Sequence, residues 1–312
     1  MDRYSVYGLC VESDLPLLSV DRATGASTEV AIRIYGAPLE YFQTKVAGIA
    51  PAGDDWVHHA VLADGSVYMK VENVFETIVS PDGRDVRCRR YEDATASSFE
   101  ANLLNFVIST VLTLRGEEPL HATVVQRGGK GIGLLGSSGA GKSTLAACLI
   151  GRGAELVTDD MLRLGFSDGG ALAYPGPYRL KLFDEPAQRY LPGAIARGTF
   201  NASSGKTMLM PSEQARPFRS AYPVEALFWL GDPDAEPRPK DVSLKRLGGN
   251  ELAKCLISSA MDIRYRTPDR LVRQFRFAEQ VARTVPVYAL TYPRVFAAMD
   301  RVVEEIDRAV QS

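Results

Sequence analysis

The sequence predicts an α/β fold in two parts: a mainly β N-terminal domain over residues 1–95 and a larger domain over residues 96–312. Three observations carry this expectation. Short β-branched and aromatic runs, separated by turn residues, fill the first part. After residue 96, helix-period segments alternate with apolar strand-like segments. Between one such strand and the next helix lies Gly136-Ser137-Ser138-Gly139-Ala140-Gly141-Lys142-Ser143, which fits GxxxxGK[ST] at every position.

In the first part, residues 30–35 (VAIRIY), 67–71 (VYMKV) and 76–79 (ETIV) read as strands. Asp64-Gly65 reads as a hairpin turn. Pro81-Asp82-Gly83 is a second turn, because proline pre-sets φ and glycine supplies a positive φ. Ser97 and Glu100 then have the spacing of a capping box. Phe99, Leu103, Phe106, Val107, Thr110, Val111 and Leu114 follow at helical spacing, and Gly116 can end the run. The spacing predicts a helix over 98–115 that opens the second domain.

Residues 121–126 and 131–135 flank a turn at 127–130, a hairpin that leads straight into the glycine-rich loop. Residues 142–150 read as a helix that Gly151-Arg152-Gly153 stops. Residues 154–158 (AELVT) form a short buried strand that ends on Asp159-Asp160. Further on, 224–230 (VEALFWL) is a strand closed by Gly231-Asp232-Pro233, with Phe228 and Trp229 in the core. Residues 249–260 and 268–284 read as helices, 285–291 as a strand and 294–310 as an amphipathic helix. No internal repeat or low-complexity tract is present.

Composition narrows the classes of function. The chain has 312 residues, 46% hydrophobic and 24% charged, with a formal net charge of −2, the balance of a globular enzyme without a global pull toward nucleic acid or anionic membrane. The four cysteines form no CxxC pair and are too widely spaced for a disulfide framework. The start, MDRYSVYGLC, lacks the basic and apolar regions of a secretion signal, and no stretch of about 18 uncharged apolar residues exists. A cytoplasmic protein with no nucleic-acid or membrane partner is expected.

The loop carries the chemistry. Glycines at 136, 139 and 141 let consecutive backbone N–H groups curl around a phosphate with no Cβ in the way. The helix beginning near Lys142 and Thr144 points its positive end at the same anion. Lys142 supplies a charge to the β- and γ-phosphates and Ser143 a hydroxyl to Mg²⁺. ATP and Mg²⁺ are thus the expected ligands, held by residues 136–144. Asp159 and Asp160 follow at a short interval, where a strand end beside the loop suits one carboxylate on the metal and another accepting a proton from an attacking hydroxyl.

Other charges are open to two readings. His121 begins the hairpin that enters the site and is either structural or catalytic. Arg179 and Lys181 alternate with Leu180 and Leu182, so both would face one side; they either receive phosphate or a substrate carboxylate, or form a solvated strand face. Ser203, Ser204, Gly205, Lys206 and Thr207 form either a lid with Lys206 on phosphate or a plain surface loop. Arg127 and Lys130 read as solvated.

His121, the hairpin, GSSGAGKS and then ELVTDD resemble the catalytic domain of the bacterial HPr kinase/phosphorylase family, which shares its nucleotide-binding fold with phosphoenolpyruvate carboxykinase. His121, Lys142, Ser143, Asp159 and Asp160 fall on that family's motif positions. The resemblance implies a P-loop kinase core, ATP and Mg²⁺, a serine hydroxyl as acceptor, Asp159 as general base and Asp160 as the metal-side carboxylate. Thr144 stands where the family usually has an acidic residue, and the family's glycine- and arginine-rich stretch is not found, which puts phosphorolysis in doubt. Residues 4–18, 175–183 and 285–293 look like HPr-kinase-related proteins of peptide-tailoring clusters, including kinases of the C-terminal serine of lasso-peptide precursors. That similarity implies a precursor-peptide partner, with the N-terminal domain as its recognition element. Oligomeric state is not set by the sequence, and a homo-oligomer is allowed. Two alternatives remain: a small-molecule P-loop kinase, although the loop comes far into the chain and no arginine-rich lid is seen, and a non-catalytic nucleotide sensor.

Overall fold

Alternating β-branched residues and positive-φ turns build the first of two units, Met1–Glu117 and Glu118–Ser312. The computed structural model describes the chain except residues 24–28, 51, 54–55, 196–197, 202–204, 211–220, 235–238, 263–266 and 312. In the first unit β1 (Asp2–Val6) and β2 (Leu9–Ser13) form a hairpin whose turn residues Tyr7 and Gly8 both have positive φ, the geometry that matches strand twist. There follow β3 (Asp21–Arg22), β4 (Ile32–Gly36), α1 (Leu39–Lys45), β5 (Ala52–Gly53), β6 (Val57–Val61), β7 (Val67–Val71), β8 (Phe75–Val79) and β9 (Asp85–Arg90). They make one nine-stranded sheet in the order β3-β1-β2-β4-β9-β8-β7-β6-β5. Both expected turns form: the Gly65 amide donates to Leu62 O at 2.9 Å, and the Gly83 amide to Ser80 O at 2.9 Å.

The expected long helix is α2 (Ala96–Asn102), a π-helical turn at Leu103–Val107 and α3 (Ile108–Leu114). Its cap is Thr95, whose hydroxyl accepts from the Ser98 amide at 3.1 Å, and not Ser97. Glu100 does not close a capping box, because its carboxylate accepts from the Leu18 and Ser19 amides at 3.0 and 2.7 Å instead. This helix lies in the first unit, so the unit extends past residue 95 to Glu117. The reason is packing: Phe99 meets Phe75 edge-on at 5.8 Å and Phe106 meets Trp56 at 5.6 Å.

The second unit contains β10 (Ala122–Arg127), β11 (Lys130–Leu135), α4 (Lys142–Ile150), β12 (Glu155–Thr158), β13 (Leu164–Ser167), β14 (Gly170–Ala173), β15 (Leu180–Leu182), α5 (Asp184–Tyr190) and α6 (Pro192–Ile195). Beyond them come β16 (Thr199–Asn201), β17 (Lys206–Leu209), β18 (Tyr222–Trp229), β19 (Ser243–Arg246), α7 (Gly249–Ser258), α8 (Pro268–Thr284), β20 (Val287–Thr291) and α9 (Met299–Gln311). The main sheet runs β12-β10-β11-β18-β14-β13, with β20 beside β18 and β19 beside β20. β11 and β20 are parallel to β18, whereas the β10–β11 hairpin is antiparallel.

Helices cover both faces of this sheet. Leu145 and Leu149 of α4 and Val302 and Ile306 of α9 pack with Leu134 and Phe228. Leu252 and Leu256 of α7 and Ala278 and Val281 of α8 pack with Leu135 and Leu227 on the other face. Adjacent residues thus serve opposite cores, which is why 131–135 and 224–230 read as continuous apolar runs and not as alternating ones. A separate three-stranded sheet, β15-β17-β16, buries Leu180, Leu182 and Leu209 in the α4 core. Its alternate residues Lys181 and Lys206 therefore turn to the opposite face. Among the described residues no helix is long and apolar enough to cross a membrane.

A buried ion pair ties α8 to the entrance of β10. Arg270 Nε and Nη2 each donate to Glu118 Oε2 at 3.1 Å, with side-chain exposures of 3% and 2%. Arg273 Nε donates to Glu118 Oε1 at 2.7 Å. Removing one partner strands a buried charge. We therefore expect Glu118→Gln to destabilise the protein by about 3–5 kcal/mol. Urea unfolding checks this, and a loss below about 1 kcal/mol would show the pair to be dispensable.

Candidate functional site

The β10–β11 hairpin sets the site because β10 pairs on both edges. Ala122 lies opposite Leu135, so His121 is carried to the level of Gly136, where the glycine-rich loop leaves β11. On the other edge Val124 lies opposite Thr158, and a register shift after it brings Thr123 level with Asp159. The loop then needs backbone that only glycine adopts without strain. Gly136 has φ 143° and Gly141, the residue capping α4, has φ 92°. A Cβ at Gly141 would also come within 3.1 Å of Tyr292 Oη.

Lys142, 6% exposed, folds over the loop and donates from Nζ to Gly136 O at 2.7 Å and Ser137 O at 2.9 Å. Burial pushes its pKa down to about 8, against the pull of Asp159 and Asp160. Ser143 Oγ lies 3.4 Å from Asp159 Oδ1. The same oxygen accepts from Thr123 Oγ1 at 2.6 Å, and Asp159 Oδ2 accepts from the Lys181 amide at 3.1 Å. Asp159 is 7% exposed, and burial, reinforced by the Asp160 charge, raises its pKa.

Asp160 takes the opposite direction. It has φ 69°, a left-handed conformation that aspartate tolerates. Lys181 Nζ donates to Asp160 Oδ2 at 2.6 Å. Burial opposes the Asp160 charge, but the Lys181 ammonium outweighs it, with lesser help from His121 and Arg179, and its pKa is lowered. His121 is half-buried and its amide donates to Ser259 O at 2.6 Å. Burial, then the Lys142 charge, push its pKa down to about 4, so it is neutral near pH 7.

These residues share a pocket of about 120 Å³ lined by His121, Ser138, Gly139, Gly141, Lys142, Ser143, Thr144, Asp160, Lys181, Leu182, Phe183 and Lys206. Ala140 is fully buried and contributes backbone only. Asp159 sits behind Ser143. Lys206 holds its ammonium 5.1 Å over the exposed Phe183 ring. Ser203 and Ser204, in the candidate lid, lie outside the described residues. Arg179 does not line the pocket and acts on it through its charge on Asp160. A second cavity, of about 530 Å³, shares Gly139, Gly141 and Thr144 with the first and continues past Asp232, Tyr292 and Arg294.

Among the described residues no cluster of three or more His, Cys, Asp or Glu side chains could hold a metal ion. The donors present fit a different arrangement. A hydroxyl and a carboxylate, Ser143 and Asp159, stand side by side at the loop's end. That suits Mg²⁺, which keeps waters and takes most of its shell from phosphate oxygens.

Two contributors lay outside the sequence expectations. Thr123 reads as one more β-branched strand residue, and only the pairing of β10 with β12 brings it to Asp159. Arg294 reads as the first residue of the last helix, but α9 begins at Met299 and Arg294 joins the loop.

No protein-family model matches the chain, and no curated protein matches it. Among solved structures it is similar to the HPr(Ser) kinase/phosphatase from Coxiella burnetii, at 13% sequence identity and a TM-score of 0.34, covering 62% of this chain and 99% of that one. At that TM-score the likeness is too loose to equate residues.

The depressed Lys142 pKa gives a pH signature. Between about 8 and the ordinary lysine value of 10.5, the unfolded chain holds a proton that the folded chain has released. Stability of the ligand-free protein therefore gains a contribution from this group as pH rises through that window. A bound oxyanion favours the charged amine and reverses the shift. We expect an NMR titration of the Lys142 side chain to give a midpoint near 8, moving upward on addition of pyrophosphate. An unperturbed midpoint, or one that ignores pyrophosphate, would contradict this electrostatic account.

Proposed function

We propose that the chain is an ATP- and Mg²⁺-dependent kinase that phosphorylates a hydroxyl, on a P-loop core of the HPr kinase/phosphoenolpyruvate carboxykinase type. One observation carries the reading: a carboxylate, Asp160, and a neutral imidazole, His121, face the same small pocket as Lys142 and Ser143 of a GxxxxGKS loop. A pure binding module has no need of a proton acceptor there.

In this reading the loop N–H groups and Lys142 hold the β- and γ-phosphates, and the larger cavity past Asp232 and Tyr292 takes the nucleoside. Ser143 and Asp159 would hold Mg²⁺, which would neutralise phosphate charge. Asp160 receives the proton as the acceptor oxygen bonds to the γ-phosphorus and the bond to the β–γ bridging oxygen breaks, leaving ADP. Lys181 orients Asp160, and Lys206 stands near the transferred group. This division reverses the roles expected from sequence. Two observations support the reversal: Asp159 is buried against the loop serine, and Asp160 alone of the pair lines the pocket. Lys181 keeps Asp160 ionised, and a low-pKa carboxylate is adequate where proton transfer lags a loose phosphoryl transition state.

For the acceptor we assign a serine of a peptide, best matched by a lasso-type precursor. Its support is the sequence resemblance at residues 4–18, 175–183 and 285–293, together with the exposed Phe183 beside the pocket.

The assay is incubation with ATP-Mg²⁺ and the candidate precursor peptide, followed by mass measurement of added phosphate. Wild-type protein should add phosphate, and Lys142→Ala should not. Asp160→Asn should keep ATP affinity within a few-fold and lose roughly 10²–10⁴ in transfer rate, the usual worth of a general base. Asp159→Asn should instead raise the Mg²⁺ concentration needed for half-maximal rate. Normal transfer by Asp160→Asn would return the base to Asp159. ATP binding with no transfer to any hydroxyl compound would favour the sensor reading.

A further inference from the structure

Arg294 is built into the glycine-rich loop from a distant part of the chain. Its Nη1 donates to Ala140 O and to Tyr292 Oη, the latter at 2.8 Å, and its Nη2 donates to Leu230 O just beyond β18. Its guanidinium lies 4.4 Å over the ring of Tyr292, which is 1% exposed. One planar fork thus joins the loop, the end of β18 and the segment after β20. Only arginine presents two donors at that fixed spacing; a lysine offers a single point charge.

We infer that Arg294 is the positioning residue that presets the phosphate cradle. In a planar trans peptide the carbonyl and the following N–H point in opposite directions. Fixing the Ala140 carbonyl on Arg294 therefore fixes the plane of the next amide and turns the Gly141 N–H away from Arg294, into the cradle. Gly141 has no Cβ to hold that plane and sits at φ 92°, so its own conformational preference is weak. The guanidinium supplies the restraint. A Cβ at 141 would stand 3.2 Å from Arg294 Nη1, so a larger residue there would press on the same fork. The ordering of a glycine-rich loop is then settled before ligand arrives, and binding need not spend free energy on it.

This inference rests on the ATP site proposed above, and its test separates the two. Affinities of the full chain for ADP and for adenosine are measured in wild type, Lys142→Ala, Arg294→Gln and Arg294→Lys, with melting temperatures alongside. Arg294 also lines the larger cavity assigned to the nucleoside, so the readout is a ratio: Arg294→Gln should weaken ADP by roughly tenfold to a hundredfold more than it weakens adenosine, the worth of charge-assisted hydrogen bonds to the phosphate cradle. Arg294→Lys should fail to restore ADP affinity, because it keeps the charge and loses the fork. If the lysine variant binds ADP like wild type, charge alone suffices and the positioning role is wrong. If Arg294→Gln weakens adenosine as much as ADP, Arg294 touches the nucleoside and the inference is overturned. If Arg294→Gln does not fold, the lysine variant decides the matter by the same ratio. If Lys142→Ala leaves ADP affinity intact, the phosphate site itself is misassigned; if that variant loses affinity while both Arg294 variants keep it, only the role of Arg294 fails.

Discussion

β10 is hydrogen-bonded on both edges, and its double register places the chemistry. One partner, β11, ends where the glycine-rich loop begins; the other, β12, ends on the two aspartates. Between Val124 and Val125 the pairing with β12 slips by one residue. Without that irregularity Ala122, and not Thr123, would stand level with Asp159. Because side chains alternate faces along a strand, a one-residue change there replaces a hydroxyl by a methyl beside the carboxylate. Such bulges re-aim side chains at the ends of strands, and this one gives Asp159 the 2.6 Å hydrogen bond from Thr123 that burial would otherwise deny it.

The site is costly to assemble. Lys142 and Asp159 are buried, Asp160 and Lys181 are half-buried, and His121 is kept neutral. Burial, and then repulsion from the neighbouring Asp160 charge, raise the pKa of Asp159. What makes the arrangement tolerable is that each charge has a partner before any ligand binds: loop carbonyls for Lys142, a hydroxyl and an amide for Asp159, an ammonium for Asp160. An incoming oxyanion at the loop would draw Lys142 from the carbonyls that already hold its ammonium beside the loop.

Much of this was legible in the sequence where local pattern and local structure coincide. The hairpin, the loop, the helix after it and the short strand ending on Asp159-Asp160 all lie within one stretch of chain, and each carries its own turn or period signal. What escaped was through-space. Thr123 depends on a bulge, Arg294 on a segment far along the chain, and the pairing of Lys181 with Asp160 on a small separate sheet. Local reasoning also failed where a tertiary partner won. Glu100 has the spacing of a capping residue but is drawn to the Leu18 and Ser19 amides, and the helix it sits in groups with the first unit through the packing of its apolar face on Phe75 and Trp56.

The two aspartates illustrate how adjacent identical residues are given two environments. In sequence they are equivalent neighbours, and nothing local separates them. Lys181 does so in space: its backbone N–H binds Asp159 while its ammonium binds Asp160. A backbone donor leaves Asp159 as a fixed acceptor pressed against Ser143. The charged donor holds Asp160 ionised and keeps it at the pocket surface, at the expense of the left-handed backbone that Asp160 must adopt. That strain persists only because the surrounding contacts over-determine it. The alternation that sends Leu180 and Leu182 into the core and Lys181 out of it is therefore also what divides the pair. A small strand contributes little to the size of the core, yet it decides which carboxylate faces solvent and which faces the loop.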